Sequence, residues 1–217
     1  MTKCIIFDLD GTLLDTLEDI AISANFALTS LGFQAEEMQN YRYYVGEGVV
    51  KLFENIFASH PQSEETINQA VTLFEKHYTK QFFHHTKPYE GVSKMLTFFK
   101  KRGFKMAILS NKPDSFTKMC ALKYFRQWQF DTVFGSRKDV SRKPDPYTAL
   151  EIATSLSIEP SECYFLGDTL IDMKTANAAN MVALGALWGF RDEDELRRYC
   201  ARDVFKSPSE VIKYFAR

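Results

Sequence analysis

Asp8 and Asp10 stand two residues apart in the run Asp8-Leu9-Asp10-Gly11-Thr12, directly after the apolar segment Cys4-Ile5-Ile6-Phe7. Two carboxylates held so close repel each other unless a cation neutralises them. Donors that are all oxygen suit a hard ion such as magnesium. Gly11 and Thr12 permit a tight turn whose backbone N–H groups can cradle an anion. A second acidic pair, Asp168 and Asp172, follows another apolar run, Cys163-Tyr164-Phe165-Leu166, through Gly167. Between the two pairs lies Ser110-Asn111-Lys112-Pro113, whose hydroxyl and amides suit a phosphate at a strand-to-helix junction. Further on, the prolines of Arg142-Lys143-Pro144-Asp145-Pro146 stiffen the chain and can aim Lys143 into a cleft, where its charge would stabilise an anionic transition state. Each piece alone reads equally well as a turn, an N-cap cluster or a solvated lysine. Their order along the chain is what carries information.

The elements around these residues alternate. Cys4 to Phe7 reads as a buried strand of a parallel sheet, and so do Lys105-Met106-Ala107-Ile108-Leu109 and Cys163 to Leu166. Phe130 to Phe134 and Met181 to Leu187 are further strand candidates. Helical patterns separate them: Val92 to Phe99, a helix opened by Pro113, one from Asp145-Pro146 to Leu156, and one ending near Ala179. Ser207 to Glu210 resembles a capping box before a last short helix. Strands alternating with helices imply a parallel α/β sheet with right-handed crossovers, whose ligands bind beyond the carboxyl ends of the strands. Asp8, Asp10, Ser110, Asn111 and Asp168 all fall there.

Residues from about 15 to 85 break the rhythm. Leu17, Ile20, Ala21, Ala24, Ala27, Leu28 and Leu31 recur at helical spacing, with Thr16 and Asp19 as a capping box and Gly32 as a stop. Ile67, Ala70, Val71, Phe74 and Tyr78 mark a second amphipathic helix. No strand pattern is evident in this stretch, so the reading is an all-helical insertion at 15–85 in an α/β core made of 1–14 and 86–217.

Bulk properties narrow the function classes. The chain has 217 residues, 45% of them hydrophobic, and a formal net charge of −1. No basic stripe stands out, which argues against nucleic acid as the main partner. No apolar run is long enough to span a bilayer. The opening apolar residues meet Asp8 and Asp10 too soon for a signal peptide, so a cytoplasmic protein is expected. Cys4, Cys120, Cys163 and Cys200 lie far apart and read as reduced, mostly core thiols. His77 and His84, seven apart, and His85 belong to no metal-binding pattern.

Taken in order, Asp8 to Thr12, Ser110, Lys143 and Gly167-Asp168-Thr169-Leu170-Ile171-Asp172 resemble the haloacid dehalogenase superfamily of phosphohydrolases, over essentially the whole chain. The resemblance implies a Rossmann-like three-layer core with a mobile helical cap. It implies that Asp8 is the nucleophile, forming an aspartyl-phosphate, and that Asp10 protonates the leaving oxygen and then activates water. It implies magnesium held by Asp8, the backbone carbonyl of Asp10 and Asp168, with Asp172 acting from farther out or through water. Ser110 and the backbone N–H groups of Leu9, Asp10 and Asn111, with the turn at Thr12, would hold the phosphoryl oxygens. Lys143 would neutralise charge between Asp8 and the phosphate.

Departures from sister groups favour phosphoester hydrolysis. Dehalogenating members do not have the second aspartate that Asp10 supplies, and hexose-phosphate mutases carry a histidine at about the place of Ile20. Val45-Gly46-Glu47-Gly48, Ser110 to Pro113 and Ala186-Leu187-Trp188-Gly189-Phe190 resemble the phosphoglycolate phosphatase group. The implied substrate is a small organic phosphate, and a monomer or weak homodimer is expected. A pyrophosphatase and a sugar-phosphate phosphatase or phosphomutase are the alternatives. Less favoured are a non-catalytic phosphate-binding protein, which would have lost a catalytic residue where none is missing here, and a receiver-like signalling domain, which would place its phospho-accepting aspartate after a later strand. Gly46 to Gly48 reads either as a projection towards substrate or as a helix-to-helix turn, and Arg42 and Lys51 as candidate contacts for a second anionic group.

Overall fold

The computed structural model describes residues 3–216. The chain divides into two units, one taking in the residues up to Leu14 and from Pro88 onward, the other Asp15–Lys87. It passes between them along β2 (Leu14–Asp15) and β3 (Lys87–Pro88), two short strands that pair with each other.

In the first unit, β1 (Cys4–Phe7), β4 (Lys105–Pro113), β5 (Thr132–Ser136), β6 (Cys163–Gly167), β7 (Val182–Ala186) and β8 (Asp203–Phe205) form one sheet in the order β5-β4-β1-β6-β7-β8. Every neighbouring pair is parallel. Its helices are α5 (Val92–Lys101), α6 (Asp114–Phe125), α7 (Tyr147–Ser155), α8 (Leu170–Ala178), α9 (Glu193–Arg198) and α10 (Pro208–Ala216), numbered after the four helices of the second unit. All four residues of β1 are fully buried because both sheet faces are covered. Cys4 and Ile6 join a core with Ala149, Ile152, Met173 and Ala176 of α7 and α8. On the opposite face Phe7 meets Phe99 of α5, ring centroids 5.9 Å apart, and Tyr164 meets Phe215 of α10 at 4.8 Å. This is the expected three-layer α/β arrangement. The thiols Cys4, Cys120 and Cys163 are core residues, while Cys200 is exposed.

Two strands differ from the expected pattern. The apolar run at 105–109 continues as strand through Pro113, and β8 is a three-residue edge strand too short to show a period. The terminal capping box is also incomplete. The Glu210 side chain accepts from the Lys206 N–H, while Ser207 and Ser209 pair their hydroxyls.

The second unit is helical, with α1 (Leu17–Ser30), α2 (Tyr41–Tyr44), α3 (Val49–Ile56) and α4 (Glu64–Gln81). Rings of Phe53, Phe74, Tyr78 and Phe82 follow one another through its core. The capping box read at Thr16 and Asp19 does not form. Asp19 is buried and accepts instead from the His85 N–H, the Thr86 N–H and the Thr86 hydroxyl, so it ties the start of the insertion to its end. Gly46 and Gly48, at φ 130° and 92°, turn the chain between α2 and α3. Lys51 pairs with Glu54 at 3.0 Å, and the Arg42 guanidinium lies 5.9 Å from the Tyr43 ring centroid. His77 bonds Ser23 and stacks on Phe26, and His85 pairs with Glu18. No helix among the described residues is long and apolar enough to cross a membrane.

Candidate active site

Strand order reverses its growth about β1: β4 and β5 extend one way, β6, β7 and β8 the other. At such a switch the carboxyl ends of the strands diverge and leave a crevice. Asp8 is the first residue after β1, Asp168 the first after β6, and Ser110, Asn111 and Lys112 lie in the last part of β4. The Asp8 N–H donates to Leu166 O at 2.9 Å, which keeps these two strand ends level.

Asp8, Asp168 and Asp172 each offer a carboxylate oxygen within 4.8 Å of the others, and all three are buried. Among the described residues this is the one group of three or more side chains able to hold a metal ion. Lys143 enters the same space from the Pro-rich segment. Its Nζ lies 2.8 Å from Asp8 Oδ1 and 2.6 Å from Asp172 Oδ1, with its side chain 2% exposed. Asp172 serves a second purpose. Its Oδ2 accepts from the Thr169 N–H (3.0 Å) and hydroxyl (2.8 Å), a capping box that starts α8. Asp168 accepts from the Thr12 hydroxyl and the Phe190 N–H, both at 2.8 Å.

Glycines let the backbone close on these acids. A Cβ on Gly11, where φ is +86°, would fall 2.2 Å from Asp168 Oδ2. One on Gly189 would lie 2.4 Å from Asp168 Cβ, and one on Gly167 2.3 Å from Asp172 Cβ. The Trp188 indole N–H donates to Thr12 O at 2.9 Å and fastens this loop to the Asp8–Thr12 turn.

Charge is unbalanced in this cluster. Three buried carboxylates face one ammonium. Burial, then the charges of Asp172 and Asp168, push the Asp8 carboxyl well above the usual carboxylate range, although Lys143 opposes them. Burial and Asp172 push Asp168 up to about 7, against the Phe190 N–H, the Thr12 hydroxyl and Arg191. Burial alone would lower Lys143, but Asp172 and Asp8 outweigh it and hold the amine above its ordinary value. Asp8 Oδ1 is buried and its neighbour is the Lys143 ammonium, 2.8 Å away, which Asp172 shares. An oxygen-only set of three buried carboxylates against one ammonium carries surplus negative charge and fits a hard divalent cation.

Asp10 stands apart from this cluster. Its side chain is 13% exposed, and both its oxygens face Lys112 Nζ, at 3.1 and 3.2 Å. Ser110 Oγ accepts from the Lys112 N–H at 3.2 Å, and the Asn111 side-chain amide donates to Lys143 O at 3.0 Å. Asn111 therefore holds the lysine segment as well as lining the strand end. The turn at Thr12 differs from the expected anion cradle. The Gly11 N–H donates to Leu14 O and the Thr12 N–H to Leu9 O, so the turn closes on itself. The Thr12 hydroxyl proton is committed to Asp168. Leu9 is a fully buried core residue whose carbonyl accepts from the Thr12, Leu13 and Leu14 N–H groups. Lys112, Thr169 and Trp188 lie within the motifs quoted from the sequence, but those motifs assign them no site role. Only Thr169 carried a signal, since Thr169-x-x-Asp172 has capping-box spacing.

Comparison with known proteins agrees with this geometry. Residues 5–186 match the family model described as haloacid dehalogenase-like hydrolase. A phosphoglycolate phosphatase of Aquifex aeolicus is 32% identical over 211 residues, covering 97% of this chain and 95% of that protein. The crystal structure of a predicted phosphatase from Clostridium acetobutylicum superposes with a TM-score of 0.89 at 25% identity, over 100% of this chain and 99% of that one. A β-phosphoglucomutase from Clostridium difficile shares the fold at 20% identity, with a TM-score of 0.76 over 100% and 96% of the two chains.

Proposed function

Because the chain belongs to the haloacid dehalogenase-like hydrolases, we propose that it is a magnesium-dependent phosphatase of small organic phosphates, with phosphoglycolate the first substrate to test. The observation that carries this reading is the buried convergence of Asp8, Asp168 and Asp172, with Lys143 paired to Asp8 and Asp172. The relative named phosphoglycolate phosphatase, similar over nearly its full length, supports the choice of substrate.

In this reading an Asp8 carboxylate oxygen attacks phosphorus as the bond to the leaving oxygen breaks, and Asp10 gives that oxygen its proton. Asp10 then takes a proton from water, whose oxygen attacks the aspartyl-phosphate, so that phosphate leaves and the Asp8 carboxylate returns. Asp8, Asp168 and the Asp10 carbonyl are the proposed magnesium ligands. Asp172, with one oxygen on Lys143 and the other on Thr169, acts by orienting that lysine. When bound, magnesium supplies positive charge that offsets the phosphate and the carboxylates. Lys143 reduces the repulsion between Asp8 and the incoming dianion, and Ser110 with the amides of Leu9, Asp10 and Asn111 receives the phosphoryl oxygens.

The test is a phosphate-release screen over phosphoglycolate, hexose phosphates, nucleotides and pyrophosphate, with and without magnesium, for the protein and Asp8→Asn. Magnesium-dependent turnover of a phosphomonoester, abolished in the variant, is expected. Turnover that survives in Asp8→Asn, or no release from any member of the panel, overturns the reading. Selective release from pyrophosphate, or isomerisation of a sugar phosphate without release, would replace it with the alternative activities.

A further inference from the structure

Lys112 has no part in the roles assigned so far, yet the fold spends several features on aiming it. Between the pairs Leu109↔Phe134 and Pro113↔Ser136, β4 uses four residues to cover the distance that β5 covers in two. Such an irregularity bends a strand and re-aims its side chains. The Lys112 backbone is then pinned on several sides. Its N–H donates to Ser110 Oγ at 3.2 Å, and its carbonyl accepts from Thr117 Oγ1 at 3.2 Å. Gly135 allows β5 to pass against it, since a Cβ there would lie 2.6 Å from Lys112 O and 2.5 Å from Asp114 Cα. The side chain is 5% exposed and its ammonium forks over both oxygens of Asp10, at 3.1 and 3.2 Å.

Burying an ammonium costs several kcal/mol on the order of magnitude set by desolvation, and a single-atom contact at the surface would avoid that cost. A fork over both oxygens fixes the plane of the carboxylate as well as its position. The geometry points to Lys112 as the positioning residue for proton transfer by Asp10, holding that carboxylate towards the leaving oxygen. This rests on the reading of Asp10 as the acid and base. Misplacing a catalytic group by about 1 Å can cost about 10²-fold in rate.

The experiment compares two substrates in the full chain with magnesium present. A nitrophenyl phosphate releases a stable anion and needs no proton on its leaving oxygen, whereas phosphoglycolate releases an alkoxide that does. Lys112→Met should slow single-turnover cleavage of phosphoglycolate by about 10²- to 10³-fold, the range of general acid catalysis. The first turnover of the nitrophenyl ester should stay within about threefold of the unsubstituted protein, followed by slow steady-state turnover as water attack falters. Lys112→Arg, which keeps a two-oxygen hold on the carboxylate, should recover most of the phosphoglycolate rate. Equal losses on both substrates would mean that Lys112 acts on the phosphoryl group and would overturn the inference, as would no loss on either. Should the Met variant fail to fold, the Arg variant decides: a selective loss on phosphoglycolate there also overturns it. A wild-type protein inactive on both esters would instead refute the phosphatase reading.

Discussion

With divalent cations chelated, the protein should lose stability as pH rises from 5 to 8, and Asp168 should account for a definable share of the loss. Its carboxyl is moved from an ordinary 3.8 to about 7 by burial and by Asp172. The folded state therefore binds this proton more tightly than the unfolded chain. Stability from that proton is fully present below the unfolded value and is lost as pH climbs to the folded one. At about 1.4 kcal/mol per pKa unit, the whole shift corresponds to about 4 kcal/mol, of which about 2–3 kcal/mol falls between pH 5 and 8. Asp8 is raised in the same direction and steepens the slope. Urea denaturation in chelator at pH 5, 6.5 and 8 measures it. Asp168→Asn removes the titration, so its slope should be shallower by about 2–3 kcal/mol over the same interval. The variant should start lower at pH 5, by about 1–3 kcal/mol, because an amide cannot accept from Thr12 and Phe190 as the carboxyl does. Magnesium at pH 8 should restore the wild type far more than the variant, since ligand binding to the folded state stabilises by mass action. Equal slopes for the two proteins would refute the argument that Asp168 is forced up by burial beside Asp172.

Other substitutions probe separate parts of the structure. Lys143→Ala strips the ammonium from Asp8 and Asp172 and should lower kcat by at least about 10²-fold, in the range for losing one preorganised electrostatic group; steady-state kinetics showing less than a tenfold fall would contradict its placement. Gly11→Ala puts a Cβ 2.2 Å from Asp168 Oδ2 at a φ of +86°. It should cost at least about 2 kcal/mol in denaturation, with weaker stabilisation by magnesium in a thermal-shift titration. Asp19→Ala leaves the His85 and Thr86 N–H groups without their acceptor. A loss of about 2–4 kcal/mol is expected, with faster amide exchange at His85 and Thr86 and unchanged protection in β1 and β6. Unchanged exchange at those two amides would show that Asp19 is not what closes the insertion.

The strand ends were legible because strands buried on both faces cannot hide their composition. Cys4 to Phe7 and Cys163 to Leu166 read as apolar runs, and each stops at the aspartate that the structure puts in the cluster. The helical character of the insertion was legible through its 3.6-residue period, but the partner of Asp19 was not. Thr16-x-x-Asp19 has capping-box spacing, and a local pattern cannot register that His85 and Thr86 return to the same carboxylate from 66 and 67 residues away. Lys112 escaped for a related reason. Its direction depends on a slip in register between β4 and β5, a relation between two segments that neither encodes alone. Thr12 illustrates a third limit. A Gly-Thr turn after two aspartates offers N–H groups to an anion or to its own carbonyls with equal plausibility, and only the closed turn with Leu9 O and Leu14 O decides between them.

The two lysines at this site divide the acids into two electrically different sets. Lys112 pairs with Asp10, whose side chain is 13% exposed. Lys143 is shared between Asp8 and Asp172, and Asp168 lies in the same buried cluster. The backbone at Gly11, Gly167 and Gly189 stands too close to the buried acids for even a methyl group. Buried away from bulk water, these carboxyls are relieved of their charge by a proton or a cation. In the proposed mechanism a nucleophile that holds a proton cannot attack phosphorus, so the burial that raises Asp8 and Asp168 would also make a bound cation a condition for activity. Asp10 has Lys112 as its counter-charge. Activity and stability should therefore respond to magnesium through Asp8 and Asp168, whereas Lys112→Met should leave the magnesium dependence of stability at its wild-type value while changing which leaving groups the protein can release.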